Sequence, residues 1–226
     1  MKPFFIIALL IIFSAAQSQK LSQVTFSGAS TLSHFSLRTD QDVLIRISDD
    51  GKLMEWGSEV KALRSEYYAP KLQPFMGRVD YYGQETDSAF RGKVKGIGTT
   101  IITYYGSFEE PTRVGKIRSI GSASLDYYSH FENASVRGKL RTIGNHVFEY
   151  YSSFENEAFR GNLKSINNNR IVYFSSFDDR MLRGKIKSIG SVNYDWYSSL
   201  DRPGMGGSLK NGIYRRDIGG VTYILR

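Results

Sequence analysis

The sequence predicts an all-β protein assembled from tandem β-hairpins, and two observations carry this prediction. A glycine that opens each unit, in several units within Arg-Gly-Lys, recurs every 23 residues, and isoleucine, tyrosine and phenylalanine columns recur in the same phase. Within each unit, short segments rich in β-branched and aromatic residues flank a turn, which is typical of strands. Self-similarity at a fixed period indicates a repeat architecture. The glycine frame comprises Gly92, Gly115, Gly138, Gly161, Gly184 and Gly207.

Each unit is expected to supply two strands, as the unit that begins at Gly138 illustrates. Segments 137–143 and 147–154 form its two strands and a turn lies between them. Alternation along the second strand places its aromatic residues on one apolar face and its charged residues on the other. The residues expected on the apolar face are Phe148, Tyr150 and Phe154, with Leu125, Tyr127 and Phe131 in the preceding unit.

The turn and isoleucine columns refine this hairpin. Residues of the turn column are expected to supply a positive φ. That column comprises Gly98, Gly121, Gly144, Asn167 and Gly190. The isoleucine column, which includes Ile120 and Ile143, falls by parity on the charged side. A β-bulge next to the turn would cure this defect.

Two arrangements of the hairpins accept the pattern. In a β-solenoid, identical positions stack about 4.8 Å apart, whereas in an antiparallel meander they lie two strands, or about 10 Å, apart. A solenoid would place Lys93, Lys116 and Lys139 directly on one another, so the charges favour the meander, in which Lys139 can lie near Glu149. A sheet of a dozen or more strands must curl, close into a shallow barrel or protect two edges.

The start of the chain has the three parts of a secretory signal peptide. Lys2 precedes an apolar core of ten residues, and small residues follow at a cleavage site after Ala16 or Ser18. The core has about half of the roughly 20 residues that a transmembrane helix requires. The sequence therefore predicts a signal peptide over residues 1–18 and an exported product, periplasmic or extracellular, with no membrane span after signal removal.

The rest of the chain divides where the repeat pattern becomes regular. Residues 19–76 are predicted to form an atypical N-terminal β capping region, continuous with the repeats, because terminal repeats commonly differ from the others. Residues 77–226 are predicted to form the tandem hairpins. The last unit ends in an apolar segment, residues 221–225, that is expected to be a closing strand.

The composition narrows the classes of function. The chain has no cysteine, which excludes disulfides, thiol enzymes and cysteine-ligated metals. Its 30 Lys and Arg against 22 Asp and Glu give a net charge of +8, which favours association with anionic partners. An anionic polysaccharide or envelope polymer suits an exported chain better than nucleic acid does.

The sequence offers few combinations of residues that could form a catalytic site. His34, His130 and His146 have no second ligand at a metal-binding spacing, and the glycines follow the structural period instead of a phosphate-loop pattern. Acidic pairs in the loops, such as Glu109 and Glu110, are expected to be solvated turn residues. The sequence therefore predicts no catalytic residues, no metal and no cofactor.

A hydrolase remains a less favoured alternative. Its site would lie within residues 20–90, where the sequence offers one histidine and several carboxylates. The residues concerned are His34, Asp40, Asp42 and Glu55.

Two aromatic columns dominate the second strands. The first is expected to lie in the core and comprises Tyr127, Tyr150, Tyr173 and Trp196. The second shares its face with lysine and arginine, and such a face can stack on sugars and hold anionic groups, or simply shield the sheet from water. The candidate binding residues are Tyr105, Tyr128, Tyr151, Tyr197, Lys93, Lys116, Arg118, Lys139, Arg141, Lys185 and Lys187.

Two resemblances accompany these motifs. The period resembles that of MORN repeats, which are also hairpins of about this length, but the chain lacks their Tyr-x-Gly-x-Trp core, so no function is carried over. The Arg-Gly-Lys, Ser-Ile-Gly and Tyr-Tyr-x-Ser-Phe units resemble tandem repeats of exported bacterial proteins of uncharacterised function. This second resemblance covers about residues 90–226 and implies no activity.

The sequence thus predicts an exported, non-enzymatic β-repeat protein that binds a cell-envelope glycan or another macromolecule through its basic, tyrosine-rich face. A structural or assembly role is the alternative from a different class. In that case the sheet edges or the apolar face would pair with a protein partner or with further copies of the chain.

Overall fold

The computed structural model describes residues 19–60 and 71–226, so the predicted signal peptide, residues 1–18, lies outside the described residues. Within these ranges the chain forms 18 strands and no helix. No helix there is long and apolar enough to cross a membrane. The strands are β1 (Lys20–Ser27), β2 (Thr31–Arg38), β3 (Leu44–Ile47), β4 (Leu53–Glu59), β5 (Leu72–Pro74), β6 (Val79–Tyr81), β7 (Val94–Ile97), β8 (Thr100–Tyr104), β9 (Ile117–Ile120), β10 (Ala123–Tyr127), β11 (Leu140–Ile143), β12 (His146–Tyr150), β13 (Leu163–Ile166), β14 (Asn169–Tyr173), β15 (Ile186–Ile189), β16 (Val192–Asn193), β17 (Arg215–Ile218) and β18 (Val221–Leu225).

The strands form two sheets. An eleven-stranded sheet follows chain order from β6 to β16, and every neighbouring pair in it is antiparallel. A seven-stranded sheet has the order β17-β18-β1-β2-β3-β4-β5, in which the pair β1 and β18 is parallel. The all-β, antiparallel prediction is confirmed. The described strands do not close into a barrel, which was one of the alternatives that the sequence left open.

Each complete repeat contributes one short hairpin and one long loop. In the unit illustrated above, β11 and β12 are joined through Gly144 and Asn145, and the residues on either side of the hairpin are loop. The predicted positive φ of the turn column is confirmed, with φ of 54° at Gly144 and 49° at Asn167. The strands are shorter than predicted because Gly138, with φ of 71°, interrupts the extended chain just before β11.

A β-bulge lies in the first strand of each hairpin. It explains why the isoleucine column faces the core, although parity alone places it on the charged side. Asp126 pairs with Thr142 and Tyr127 with Leu140, so Arg141 is the extra residue. The extra residue returns both Leu140 and Ile143 to the buried side. The expected bulge is therefore present, in the middle of the strand instead of beside the turn.

The two sheets pack face to face around a single hydrophobic core. The rings of Phe35 and Phe148 lie 4.6 Å apart across the interface. Backbone hydrogen bonds also cross it, from Leu140 N to Asp49 O at 2.7 Å and from Ile186 N to the carbonyl of Ala29 at 2.9 Å. The predicted cap therefore lies across the inner face of the repeats, because that apolar face needs a partner layer.

Two predictions about where side chains lie relative to the sheet are wrong. Phe131 and Phe154 were expected on the apolar face but are 87% and 92% exposed, because β10 and β12 end four residues earlier and the alternation stops there. Lys139 was expected near Glu149. It instead lies 3.1 Å from a carboxylate oxygen of Asp49 in the other sheet.

Candidate binding face of the repeat sheet

The inner aromatic row is confirmed as core: its tyrosines are the last residues of β8, β10, β12 and β14, and Trp196 lies three residues beyond β16. Three of its four hydroxyl groups are satisfied within the hairpin, as Tyr127 donates to Ile117 O at 2.7 Å and Tyr173 donates to Leu163 O at 2.8 Å. The hydroxyl of Tyr150 is buried and has no hydrogen-bond partner among the described residues. Burial raises the pKa of these phenols above the ordinary value. The row comprises Tyr104, Tyr127, Tyr150, Tyr173 and Trp196.

Four of the predicted binding lysines form an inner cation row that is structural. Each ammonium group lies about 5 Å from the centre of an inner-row ring, in cation–π geometry. Three of them donate to the frame glycine of the next unit, as Lys139 does to Gly161 O at 2.8 Å, and Lys185 donates to Gly28 O at 3.3 Å. The row comprises Lys93, Lys116, Lys139 and Lys185.

The surroundings of the inner cation row also argue against a ligand there. Burial lowers the pKa of Lys116, although Asp50 and Asp49 act in the opposite direction. Burial likewise lowers the pKa of Lys93 and Lys185. Lys93, Lys116 and Lys139 therefore hold neighbouring repeats together, and Lys185 holds its repeat to the other sheet. All four side chains are half-buried, so a ligand reaches them less easily than it reaches an exposed cation.

The outer aromatic row consists of the residues that directly follow the inner row, and several of its hydroxyls are hydrogen-bonded to the next repeat. Tyr105 donates to Leu125 O at 2.9 Å and Tyr128 donates to Phe148 O at 2.8 Å. Tyr151 makes the equivalent bond and is only 5% exposed. The hydroxyls of Tyr82, Tyr105, Tyr128 and Tyr151 are thus occupied. The row comprises Tyr82, Tyr105, Tyr128, Tyr151, Phe174 and Tyr197.

An outer cation row covers the outer aromatic row and faces solvent. Each cation lies between 5.5 and 5.8 Å from the centre of its ring, and all but the half-buried Lys164 are exposed. The row comprises Lys95, Arg118, Arg141, Lys164, Lys187 and Lys210.

The outer cation row is poorly neutralised. Among the described residues, Lys210 has ion pairs, with Asp195 at 3.4 Å and Asp201 at 3.7 Å. No carboxylate of that part of the chain lies within 4.0 Å of the other five cations. Glu149, on the same face, receives a hydrogen bond from Ser165 at 3.1 Å. Within the described part of the chain, five positive charges in register thus have no carboxylate partner and are available to an anionic ligand.

The predicted binding residues therefore separate into two rows that parity had merged. Arg118, Arg141 and Lys187 belong to the outer cation row, while the four lysines next to the frame glycines belong to the inner one. Sequence reasoning missed Lys95, Lys164 and Lys210. A signal for them was present, because positions 95, 118, 141, 164, 187 and 210 carry a cation without exception at the 23-residue period.

The alternative hydrolase residues are not brought together. His34 lies on β2, where its Nδ1 is 3.0 Å from Ser33 Oγ, and burial lowers its pKa to about 3. Glu55 on β4 pairs with Arg46. Asp40 and Asp42 lie beyond the end of β2, and Asp42 pairs with Arg38. No carboxylate hydrogen-bonds the histidine within the residues described, and no metal-ligating cluster of three or more side chains occurs among them.

Two of the loop carboxylates that were expected to be solvated turn residues, Glu110 and Asp179, are bonded between repeats. Glu110 accepts hydrogen bonds from the backbone N–H of His130 and from its Nδ1, both at 2.8 Å, which together lower the pKa of Glu110 to about 2. Asp179 accepts a bond from the backbone N–H of Ser199 at 3.1 Å. These carboxylates order the loops.

Comparison of the chain with protein-family models, with curated proteins and with solved structures finds no match. The function that the chain supports best therefore rests on its own residues, and above all on the outer cation row. The arrangement holds several positive charges at a regular spacing on a rigid sheet. It can bind a repeating polyanion.

Proposed function

We propose that this chain is an exported β-repeat protein that binds an anionic polysaccharide of the cell envelope through the outer cation row. The observation that carries the proposal is the unbroken series of six cations that lie over six aromatic rings, five of them without a carboxylate partner among residues 19–60 and 71–226. The signal-like start of the chain and the repeat units that resemble those of exported bacterial proteins support the same assignment.

The spacing of the outer cation row suits a polymer. Equivalent positions of successive hairpins lie two strands, or about 10 Å, apart. A polysaccharide that carries one carboxylate in each disaccharide presents its charges at a comparable interval. One strand of such a polymer can therefore meet several cations in succession, and each contact after the first costs less entropy.

The aromatic rings contribute by holding the cations in place. A lysine or arginine stem that lies over a ring has fewer conformations to lose when it binds a ligand. The hydroxyl bond of Tyr128 to Phe148 O fixes the ring beneath Arg141, and the same bond of Tyr105 fixes the ring beneath Arg118. The tyrosines thus act as positioning residues instead of as a stacking platform.

Assembly through sheet edges has less support. The outermost strands of the eleven-stranded sheet are short, with three residues in β6 and two in β16. Short edge strands offer few unpaired backbone groups to another chain. A bridge between Trp196 and Leu209 continues the sheet beyond β16 and blunts that end further.

Co-sedimentation with a panel of polymers tests the proposed function. Purified peptidoglycan, an insoluble acidic polysaccharide and an insoluble neutral α-glucan are each mixed with the protein at low and at physiological salt. We expect binding to the acidic polymer that weakens with salt but persists at physiological ionic strength. Equal retention on the neutral α-glucan, or loss of all binding at physiological salt, would contradict the proposal.

A further inference from the structure

A second periodic surface, separate from the outer cation row, lies on the loops. Three positions beyond each outer-row aromatic from Tyr105 to Tyr197 lies a large apolar side chain that is almost completely exposed, at 87–102% of its full surface. This phenylalanine row comprises Phe108, Phe131, Phe154, Phe177 and Leu200. Exposed apolar residues are common singly, but a row of them repeated at equivalent positions of five successive loops indicates an interaction surface.

The loops hold this row in a fixed position without burying it. The backbone N–H that precedes each member is bound by a side chain of the previous repeat, as Asn133 Oδ1 binds Ser153 N at 3.2 Å and Asn156 Oδ1 binds Ser176 N at 3.0 Å. Asp87, Glu110 and Asp179 supply the equivalent acceptors at Ser107, His130 and Ser199. Each member is therefore anchored at its backbone while its side chain stays exposed, and the Phe131 ring contacts the neighbouring His130 ring, with the two ring centres 3.7 Å apart.

The geometry of the row indicates a linear ligand. The row is one residue wide. Its members follow the repeats at intervals of about 10 Å, so the five together extend over ~40 Å. A flat lipid surface would be matched better by a broad patch than by a single line. A linear polymer that presents an apolar face at regular intervals matches the row along its whole length.

The charges beside the row favour an uncharged polymer. An acidic residue follows every member of the row, and each of these loops also carries an arginine, as Arg137 donates to Glu132 O at 3.5 Å and Arg183 donates to Asp178 O at 3.1 Å, so neither sign of charge dominates. The acidic residues are Glu109, Glu132, Glu155, Asp178 and Asp201. Those that point to solvent can accept hydrogen bonds from sugar hydroxyls.

We propose that the phenylalanine row binds a neutral β-1,4-linked polysaccharide. In such a polymer each sugar is turned over relative to its neighbour, so the same apolar ring face recurs once per disaccharide, close to the spacing of the hairpins. Phenyl rings stack on these faces while the adjacent carboxylates accept bonds from the hydroxyls. This surface lies on the loops, and its ligand differs from the anionic polymer proposed for the outer cation row; the two surfaces meet where Lys210 pairs with Asp201.

Pull-down of the purified protein with amorphous cellulose and with chitin tests this inference, with an insoluble α-linked glucan as the reference. We expect the β-1,4 polymers to retain the protein at high salt. The variant F131S/F154S/F177S should lose at least about tenfold in binding, because three buried ring contacts disappear. I101S/V147S/M76S, which removes three exposed apolar side chains elsewhere, is the matched control and should bind as the wild type does.

Two further variants separate this inference from its rivals. F131L/F154L/F177L keeps apolar bulk but removes the flat rings, so binding to the β-1,4 polymers should fall as in the serine variant. The variant R118Q/R141Q/K187Q, which changes the outer cation row instead, should bind the β-1,4 polymers as the wild type does. The inference is wrong if cellulose and chitin retain no protein, or if the leucine variant binds as well as the wild type. It is also wrong if the row instead mediates binding to phosphatidylcholine vesicles or dimerisation in sedimentation velocity.

Discussion

At the residue scale, residues of the same type in different columns of the repeat have different structural roles. The periodicity of the sequence does not distinguish these roles. The turn glycines were predictable, because a positive φ in a two-residue turn has few solutions and Asn167 is one of them. The division of the cations into two rows could not be predicted, because it depends on the bulge at Arg141. A bulge changes which side a residue faces without leaving a mark in composition.

The two glycine columns differ in how much space surrounds them. Gly138 has φ of 71°, and a Cβ there would lie 2.9 Å from Lys116 Nζ, whereas Gly144 has φ of 54° and open space around it. We expect G144A to lower the free energy of unfolding by about 1 kcal/mol from backbone strain, and G138A to lower it further. G144N should be nearly neutral, as Asn167 occupies the equivalent position. Urea unfolding measures all three; equal losses for both alanine variants would contradict the assigned role of Gly138.

His34 gives the stability a predictable pH dependence. Burial first, and then the charges of Arg46 and Arg226, lower its pKa from 6.5 to about 3. The unfolded chain therefore binds a proton that the folded chain does not, and stability falls as the pH drops from about 6.5 towards 3. Between pH 7 and pH 5, above most carboxylate titration, the loss should be about 2 kcal/mol.

Urea unfolding at pH 7 and pH 5 measures this loss. H34Q should abolish most of the difference between the two pH values, whatever its stability at pH 7. The matched control is H146Q, at a half-buried histidine whose pKa is also lowered by burial. An unchanged pH difference in H34Q would show that another group is responsible.

At the element scale, the hairpin is the unit that the sequence could predict. Two strands around a glycine turn follow from local propensity and spacing alone. Strand length was overestimated, because the backbone pairing beyond Tyr150 extends only to Tyr151, which bonds with Gly161 and Asn162, while the aromatic pattern continues to Phe154. Phe154 lies in that loop, and its exposure follows from hydrogen bonds between loops, which no local rule predicts.

Tyrosine hydroxyls tie the two strands of a hairpin together. Y127F removes the donor to Ile117 O and leaves that carbonyl with one bond fewer, so it should cost about 1 kcal/mol or more. Y150F at the equivalent position removes a buried hydroxyl that has no partner, so it should be neutral or stabilising. Thermal or urea unfolding of the two variants provides the comparison. Equal destabilisation would mean that the hydroxyl bond contributes nothing.

At the scale of the whole molecule, the seven-stranded sheet was the least predictable feature. It joins β1 to the last strand through a parallel pairing, with Val24 opposite Tyr223, and covers the repeats from Thr99 to Gly190. These contacts link residues that are far apart in sequence, and periodicity carries no information about them. The individual strands were recognisable by alternation, but their common sheet was not.

The two-layer architecture also separates the proposed binding surfaces. One face of the repeat sheet is buried against the second sheet, so the outer cation row occupies the remaining face and the phenylalanine row follows the loops. A chain with both surfaces would bind a charged polymer and a neutral one at the same time. Such a molecule would cross-link two components of an envelope.

The measurement that tests the central claim most directly is calorimetric titration of the protein with hyaluronate, which has one carboxylate per disaccharide, at physiological ionic strength. R118Q/R141Q/K187Q removes three charges from the outer cation row. R137Q/R160Q/R183Q removes three exposed charges from equivalent loop positions and is the matched control. The account predicts at least about tenfold weaker binding for the first variant and nearly unchanged binding for the second. Equal weakening of both would contradict a specific role for the row and leave only general charge attraction.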